Sequence, residues 1–263
     1  MTTDIRGRDY PQMAAARGRI EPAPRRVRGY LGHELVFDTT AASYVWEVPY
    51  YPQYYIPLAD VGAGFLRDEN HPQTVQFGPS RLYSVVGAGQ IHQSAARVFD
   101  ADSDSPVAGT VRFEWDPLRW FEEDEPIYGH PRNPYSRVDA LRSHRHVRVE
   151  LDGVVLADTL TPVLLFETGL PTRYYIDPTD IAFEHLEPSS TQTLCPYKGT
   201  TSGYWSVRVG PPAEQTVHPD LAWTYHYPLP AVAPIAGLVA FYNEKLDIIV
   251  DGAALPRPNT QFS

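Results

Sequence analysis

From Val147 to Val250 apolar residues come in short runs that alternate with polar ones. That is the period of half-buried strands rather than the 3.6-residue period of helices. Val147–Leu151 alternates apolar and charged residues, Asp152-Gly153 supplies a type I′ turn and Val154–Ala157 returns, which predicts a hairpin. Val163–Phe166 is an apolar run of strand length, and Tyr174–Ile176 is β-prone and closes at Asp177-Pro178. Tyr204–Val209, Leu238–Tyr242 and Leu246–Val250 are predicted as further strands, with one helical turn after Pro230, around Ala231–Ala236.

The same pattern occurs twice. Arg26–Val61 and His146–Ile181 align without a gap at an offset of 120 residues. Val27, Arg28, Leu31, Asp38, Thr39, Glu47, Tyr54, Tyr55, Ile56 and Asp60 meet identical residues from Val147 to Asp180. Fainter echoes continue in the same order: Tyr83-Ser84-Val85 with Trp205-Ser206-Val207, and Val107-Ala108-Gly109 with Ile235-Ala236-Gly237. The pattern is that of a tandem duplication. The reading is a basic arm over 1–25, a first domain over 26–121, a linker over 122–145, a second domain over 146–255 and a tail over 256–263. The two copies are expected to pack about an approximate two-fold axis.

Composition narrows the function classes. The 26 prolines and 18 glycines punctuate many short elements, which fits strands and turns. A net charge of −10 argues against a general phosphate-attracting surface, so no nucleic-acid partner is expected. The single cysteine, Cys195, allows no internal disulfide and no cysteine-based zinc cluster. No apolar run reaches the roughly 18 residues of a membrane span, and no secretory pattern opens the chain. The expectation is a cytoplasmic protein, monomer or homodimer, without metal or cofactor.

Several stretches of the second copy resemble the domain-of-unknown-function 427 family. They are Phe166-Glu167-Thr168-Gly169, Tyr174-Tyr175 with Asp180, Thr193 to Gly199 (TLCPYKG), Tyr204 to Val207 (YWSV), Ala222-Trp223 with Tyr225, and Ile235 to Tyr242 (IAGLVAFY). The first copy and the linker are similar to its tandem form. The resemblance implies a mainly β fold, with two small antiparallel domains each built of two sheets meeting like a tent. It supplies no reaction. The family is sometimes grouped with nucleotidyltransferases, yet the second copy has neither the clustered carboxylates nor the phosphate-gripping Gly-Ser turn of two-metal phosphoryl transfer.

The candidate chemistry lies in the second copy. Of 22 basic residues only Lys198 and Lys245 are lysines. Lysine differs from arginine as a compact charge whose pKa burial can lower, suited to nucleophile, acid or phosphate-contact roles; a structural ion pair is the alternative. Cys195 stands three residues earlier across Pro196, either as a thiol facing the same pocket or as a small buried apolar side chain. A cysteine–histidine dyad would need His185, His218 or His226 brought in by the fold. Glu167 ends an apolar run, so its carboxylate must be paired or protonated. It is a general acid/base or an ion pair with Lys198. Its counterpart Glu47 has no lysine in its copy, leaving Arg81 or a tyrosine.

Tyr174, Tyr175, Thr193, Tyr197, Tyr204, Trp205, Trp223 and Tyr225 are the candidate ligand-binding residues. Strand alternation sends adjacent members to opposite faces, so about half line one cavity and the rest are core. Where the second copy has Thr193 to Gly199, the first has Thr74–Ser80 (TVQFGPS), with neither thiol nor amine. Three functions fit: an enzyme on a small polar metabolite using Lys198, Cys195 and Glu167, a ligand-binding module without chemistry, or a structural tandem.

Overall fold

The structure is a computed structural model describing residues 17–211 and 215–263. Residues 1–16 of the expected arm lie outside the described residues. The chain divides between Pro134 and Tyr135 into two units, one for each copy.

The first copy runs β1 Ile20–Pro22, β2 Val27–Leu31, β3 Glu34–Thr39, β4 Ser43–Val45, β5 Gln53–Pro57, β6 Leu66–Val75, β7 Gly78–Gly87, β8 Gln90–Phe99, β9 Thr110–Phe113, β10 Arg119–Glu122 and β11 Glu125–Ile127. The second runs β12 Val138–Arg142, β13 Val147–Leu151, β14 Val154–Thr159, β15 Val163–Glu167, β16 Arg173–Ile176, β17 Leu186–Ser189, β18 Leu194–Cys195, β19 Gly199–Thr200, β20 Gly203–Val209, β21 Thr216–Thr224, β22 Val239–Phe241, β23 Asp247–Val250 and β24 Ala253–Ala254.

Each copy builds a seven-stranded and a four-stranded antiparallel sheet in one shared topology. The large sheets are ordered β1-β4-β5-β9-β8-β7-β6 and β12-β15-β16-β22-β21-β20-β17. The small ones are β3-β2-β10-β11 and β14-β13-β23-β24. Among the described residues the hairpin β18–β19 has no counterpart in the first copy.

The duplicated residues explain the shared shape. β2 and β13 bury every other side chain, placing Val27 and Leu31, like Val147 and Leu151, between the two sheets. The ladder shifts register after the equivalent residues Gly29 and Val149, which re-aims the remainder of each strand. The Asp152-Gly153 turn has φ of 49° and 79°, the positive pair a type I′ turn requires. The identical Thr39/Asp60 and Thr159/Asp180 pairs make the same bond, a threonine hydroxyl donating to the carboxylate at 2.6 Å.

Four segments differ from the sequence reading, the first being Glu125–Ile127, placed in the linker but paired with β10 in the first copy's small sheet. Ile20–Pro22, placed in the arm, pairs with β4, and Trp46 N–H donates to the Arg19 carbonyl. Val138–Arg142, placed in the linker, pairs with β15 along its whole length. Both satisfy backbone groups that a sheet edge would otherwise expose. The tail is docked on the second copy through Thr260 and Phe262. No helix among the described residues is long and apolar enough to cross a membrane.

Candidate functional site

The large sheet of the second copy has two faces. One meets the small sheet in the main core; the other carries a second cluster that includes Tyr175, Tyr204, Trp223, Tyr225 and Ala240. Cross-strand partners place Tyr175, Ala240, Trp223 and Tyr204 in one row across β16, β22, β21 and β20. Trp223 Nε1 donates to the Tyr175 hydroxyl at 3.3 Å. The Tyr204 hydroxyl shares hydrogen bonds with Tyr242 (3.1 Å) and Thr193 (3.2 Å). Tyr174 and Trp205 are one residue out of phase with this row and join the opposite core. Those two expected wall residues are therefore separated from the rest.

The reactive groups arrive on the inserted hairpin. The first copy passes from β6 to β7 through Gln76-Phe77, whereas the second interposes β18 and β19, with Cys195 paired to Gly199. Gly199 has φ of 98°, a conformation that favours glycine, and it lets the chain turn back after Lys198. Leu229 N–H holds the Lys198 carbonyl at 3.1 Å, and Thr193 N–H donates to the Thr201 hydroxyl at 2.8 Å. Tyr197 is half-buried in the hairpin loop, and Thr193 is exposed at its base.

The hairpin delivers Lys198 onto the end of β15, where its ammonium donates to Glu167. The side chains are only 12% and 10% exposed, so this pair is largely removed from water. Burial pushes the Lys198 pKa down, but Glu167, then Cys195 and Tyr175, outweigh it and leave it raised. Lys198 is thus a permanent cation at neutral pH. An amine nucleophile, one of the roles open from the sequence, does not fit.

Cys195 keeps part of its surface in solvent. Burial pushes its thiol pKa up; the nearby Lys198 opposes this, Glu167 adds to it, and the N–H groups of Tyr197 and Lys198 bond the sulfur. The resting group is a neutral thiol. Tyr175 beneath it is pushed up to about 12, mainly by burial and against the field of Lys198. Thiol, ammonium, carboxylate and phenol therefore share one electrostatic environment. The histidines do not join them. His185 Nδ1 bonds the Arg208 carbonyl, His218 lies 3.8 Å from Asp152, and His226 packs on Tyr227. Among the described residues no cluster could hold a metal ion.

The sequence reading missed a flanking network. Arg173 makes a two-pronged salt bridge to Glu244, at 2.6 and 2.7 Å, and its guanidinium lies within 5.8 Å of the ring centres of Trp223, Tyr242 and Phe262. Thr260 donates to Glu244 at 2.6 Å, which docks the tail. A charge two residues before Tyr175, inside a β-prone run, was the available signal, since it must share that tyrosine's face.

In the first copy Glu47 keeps a cation from a different place. Arg112 on β9 bonds it at 3.2 Å and the Tyr55 hydroxyl donates to it at 3.1 Å. The tyrosine alternative holds; Arg81 instead pairs with Asp68, 3.5 Å away. Arg112 stands where the second copy has Ala240, each directly opposite the equivalent tyrosine.

The family model described as Domain of unknown function (DUF427) matches residues 19–123 and again residues 139–252. Among curated proteins none matches.

Proposed function

The chain belongs to the DUF427 family through two tandem copies, and, because that family's description assigns no reaction, we propose from the site's chemistry that the second copy is a thiol-dependent acyl-transfer enzyme. The substrate class is a small carbonyl compound: an ester, thioester or amide. The observation that carries this reading is the placement of a neutral thiol, partly open to solvent, beside the buried ammonium–carboxylate pair that joins the hairpin to the end of β15.

Acyl transfer to a thiol needs a nucleophile, a proton acceptor and a positive field where oxyanion charge develops. Cys195 supplies the first. Its proton passes to the Glu167 carboxylate as sulfur bonds the carbonyl carbon. The oxygen takes the electron pair and faces the Lys198 ammonium, whose charge is already fixed. On collapse, the leaving amine, alcohol or thiol takes the proton from Glu167, leaving a thioester on Cys195 that water or an acceptor amine resolves.

The test is turnover of a panel of small esters and amides. Cys195→Ser is expected to abolish it while the melting temperature stays near that of the parent. Undiminished turnover in Cys195→Ser removes the proposal.

A second reading rests on Glu47. That carboxylate keeps a cation in a copy without thiol or lysine, as expected if the pair chiefly pins β15 to its neighbours. Under that reading Lys198→Met lowers stability and nothing else.

A further inference from the structure

The outer face of the first copy's large sheet carries charge where the second carries rings. Cross-strand pairing runs Tyr55–Arg112–Arg97–Leu82 across β5, β9, β8 and β7. The equivalent row in the second copy is Tyr175–Ala240–Trp223–Tyr204. Two positions that hold alanine and tryptophan in one copy thus hold arginines in the other.

Placing like charges directly opposite each other on adjacent strands is destabilising, and the anions nearby compensate only one of them. Glu47 and Glu114 both pair with Arg112. Arg97 has neutral partners alone: its Nη1 donates to Gln73 Oε1 at 2.7 Å and to the Ser80 hydroxyl at 3.3 Å. Both bonds leave from one terminal nitrogen. Among the described residues, the Nε and Nη2 hydrogens have no acceptor and no carboxylate pairs with Arg97. That free edge is one of the two with which a guanidinium grips an oxyanion bidentately.

The surroundings hold this edge in place. Gln73 and the buried Ser80 fix the opposite side of the guanidinium, and buried Phe99, two residues along β8, packs against Tyr55 at 5.3 Å between ring centres. Both arginines lie close enough to the Tyr55 hydroxyl to oppose the rise that burial and Glu47 impose on it.

We propose that the first copy has a second binding site, in which the Nε–Nη2 edge of Arg97 takes the oxyanion group of a small molecule. The chemistry recognised is a carboxylate or a phosphate. The first copy is therefore re-tooled for anion recognition rather than emptied by loss of the thiol and lysine, and this holds whether or not the second copy is an enzyme.

The test is titration of the full ¹⁵N-labelled chain with acetate and, separately, inorganic phosphate at constant ionic strength, following the arginine Nε–H resonances. Saturable shifts at Arg97 are expected for at least one anion, and the tighter of the two identifies the group recognised. Arg97→Gln should weaken that binding at least ten-fold, and Arg97→Lys should weaken it too, since it keeps the charge but loses the fork. Arg81→Gln, on an exposed ion pair elsewhere in the copy, should leave it unchanged. Linear, unsaturated shifts with both anions overturn the proposal. So does saturable binding that Arg97→Gln and Arg97→Lys leave intact.

Discussion

At the residue scale the buried ion pair governs both stability and chemistry. Removing one partner leaves an uncompensated charge out of water, at a cost of about 3–5 kcal/mol, whereas removing both is often close to neutral. Lys198→Met and Glu167→Gln are each expected to destabilise by about 3 kcal/mol, and the double variant to recover most of that loss in urea unfolding. Additive losses would show that the two groups act independently. Lys198 and Glu167 could be singled out from sequence because each was out of place locally, a lysine in an arginine-rich chain and a carboxylate closing an apolar run. Their consequence for acidity could not. Whether Lys198 ends as a nucleophilic amine or a fixed cation depends on the strength of its partner's field, which only the assembled site reveals.

At the element scale, alternation along strands showed that the tyrosine pairs must split between two faces, and register decides which way. Tyr175 and Trp223 go to the outer row, while Tyr174 and Trp205 go to the inner core. Edge strands were harder to read. Val138–Arg142 alternates weakly inside a stretch dominated by proline and arginine, and its strand character comes from the exposed edge of β15. The tail was hidden for a similar reason, since its anchor is the Arg173–Glu244 pair across the sheet. Burial pushes the Glu244 carboxyl up, but the hydrogen bonds and charge of Arg173, with Thr260, outweigh it and hold it below the usual range. A folded value below the unfolded one means this stabilisation is complete above the ordinary glutamate range. It is lost as pH falls through the folded value. The gap in urea midpoint between the parent and Glu244→Gln is therefore expected to close on acidification. A gap independent of pH would place the stabilisation elsewhere.

At the scale of the whole molecule, the duplication was the most legible feature, because ten identities at one fixed offset are visible without any structure. Each copy then builds its own core between its own two sheets, with Leu31 and Leu151 at equivalent buried positions. Leu31→Ala and Leu151→Ala should each cost about 2–5 kcal/mol. Hydrogen exchange should locate each loss in the copy that carries the substitution, and equal acceleration in both copies would contradict separate cores. The loss of thiol and lysine from the first copy was legible as well; what the sequence concealed was the row beside them, aromatic in one copy and carrying two opposed arginines in the other. The inserted hairpin β18–β19 makes the first difference, and two substitutions on adjacent strands make the second.

The central claim, that the fixed Lys198 charge and the Glu167 carboxylate make Cys195 an acyl acceptor, is tested most directly by intact-mass analysis after brief exposure to an activated small ester. One acyl group is expected on Cys195 in the parent chain, forming at least ten-fold more slowly in folded Lys198→Met and Glu167→Gln. An acylation rate that neither substitution changes, or acyl groups found only on other residues, would contradict it.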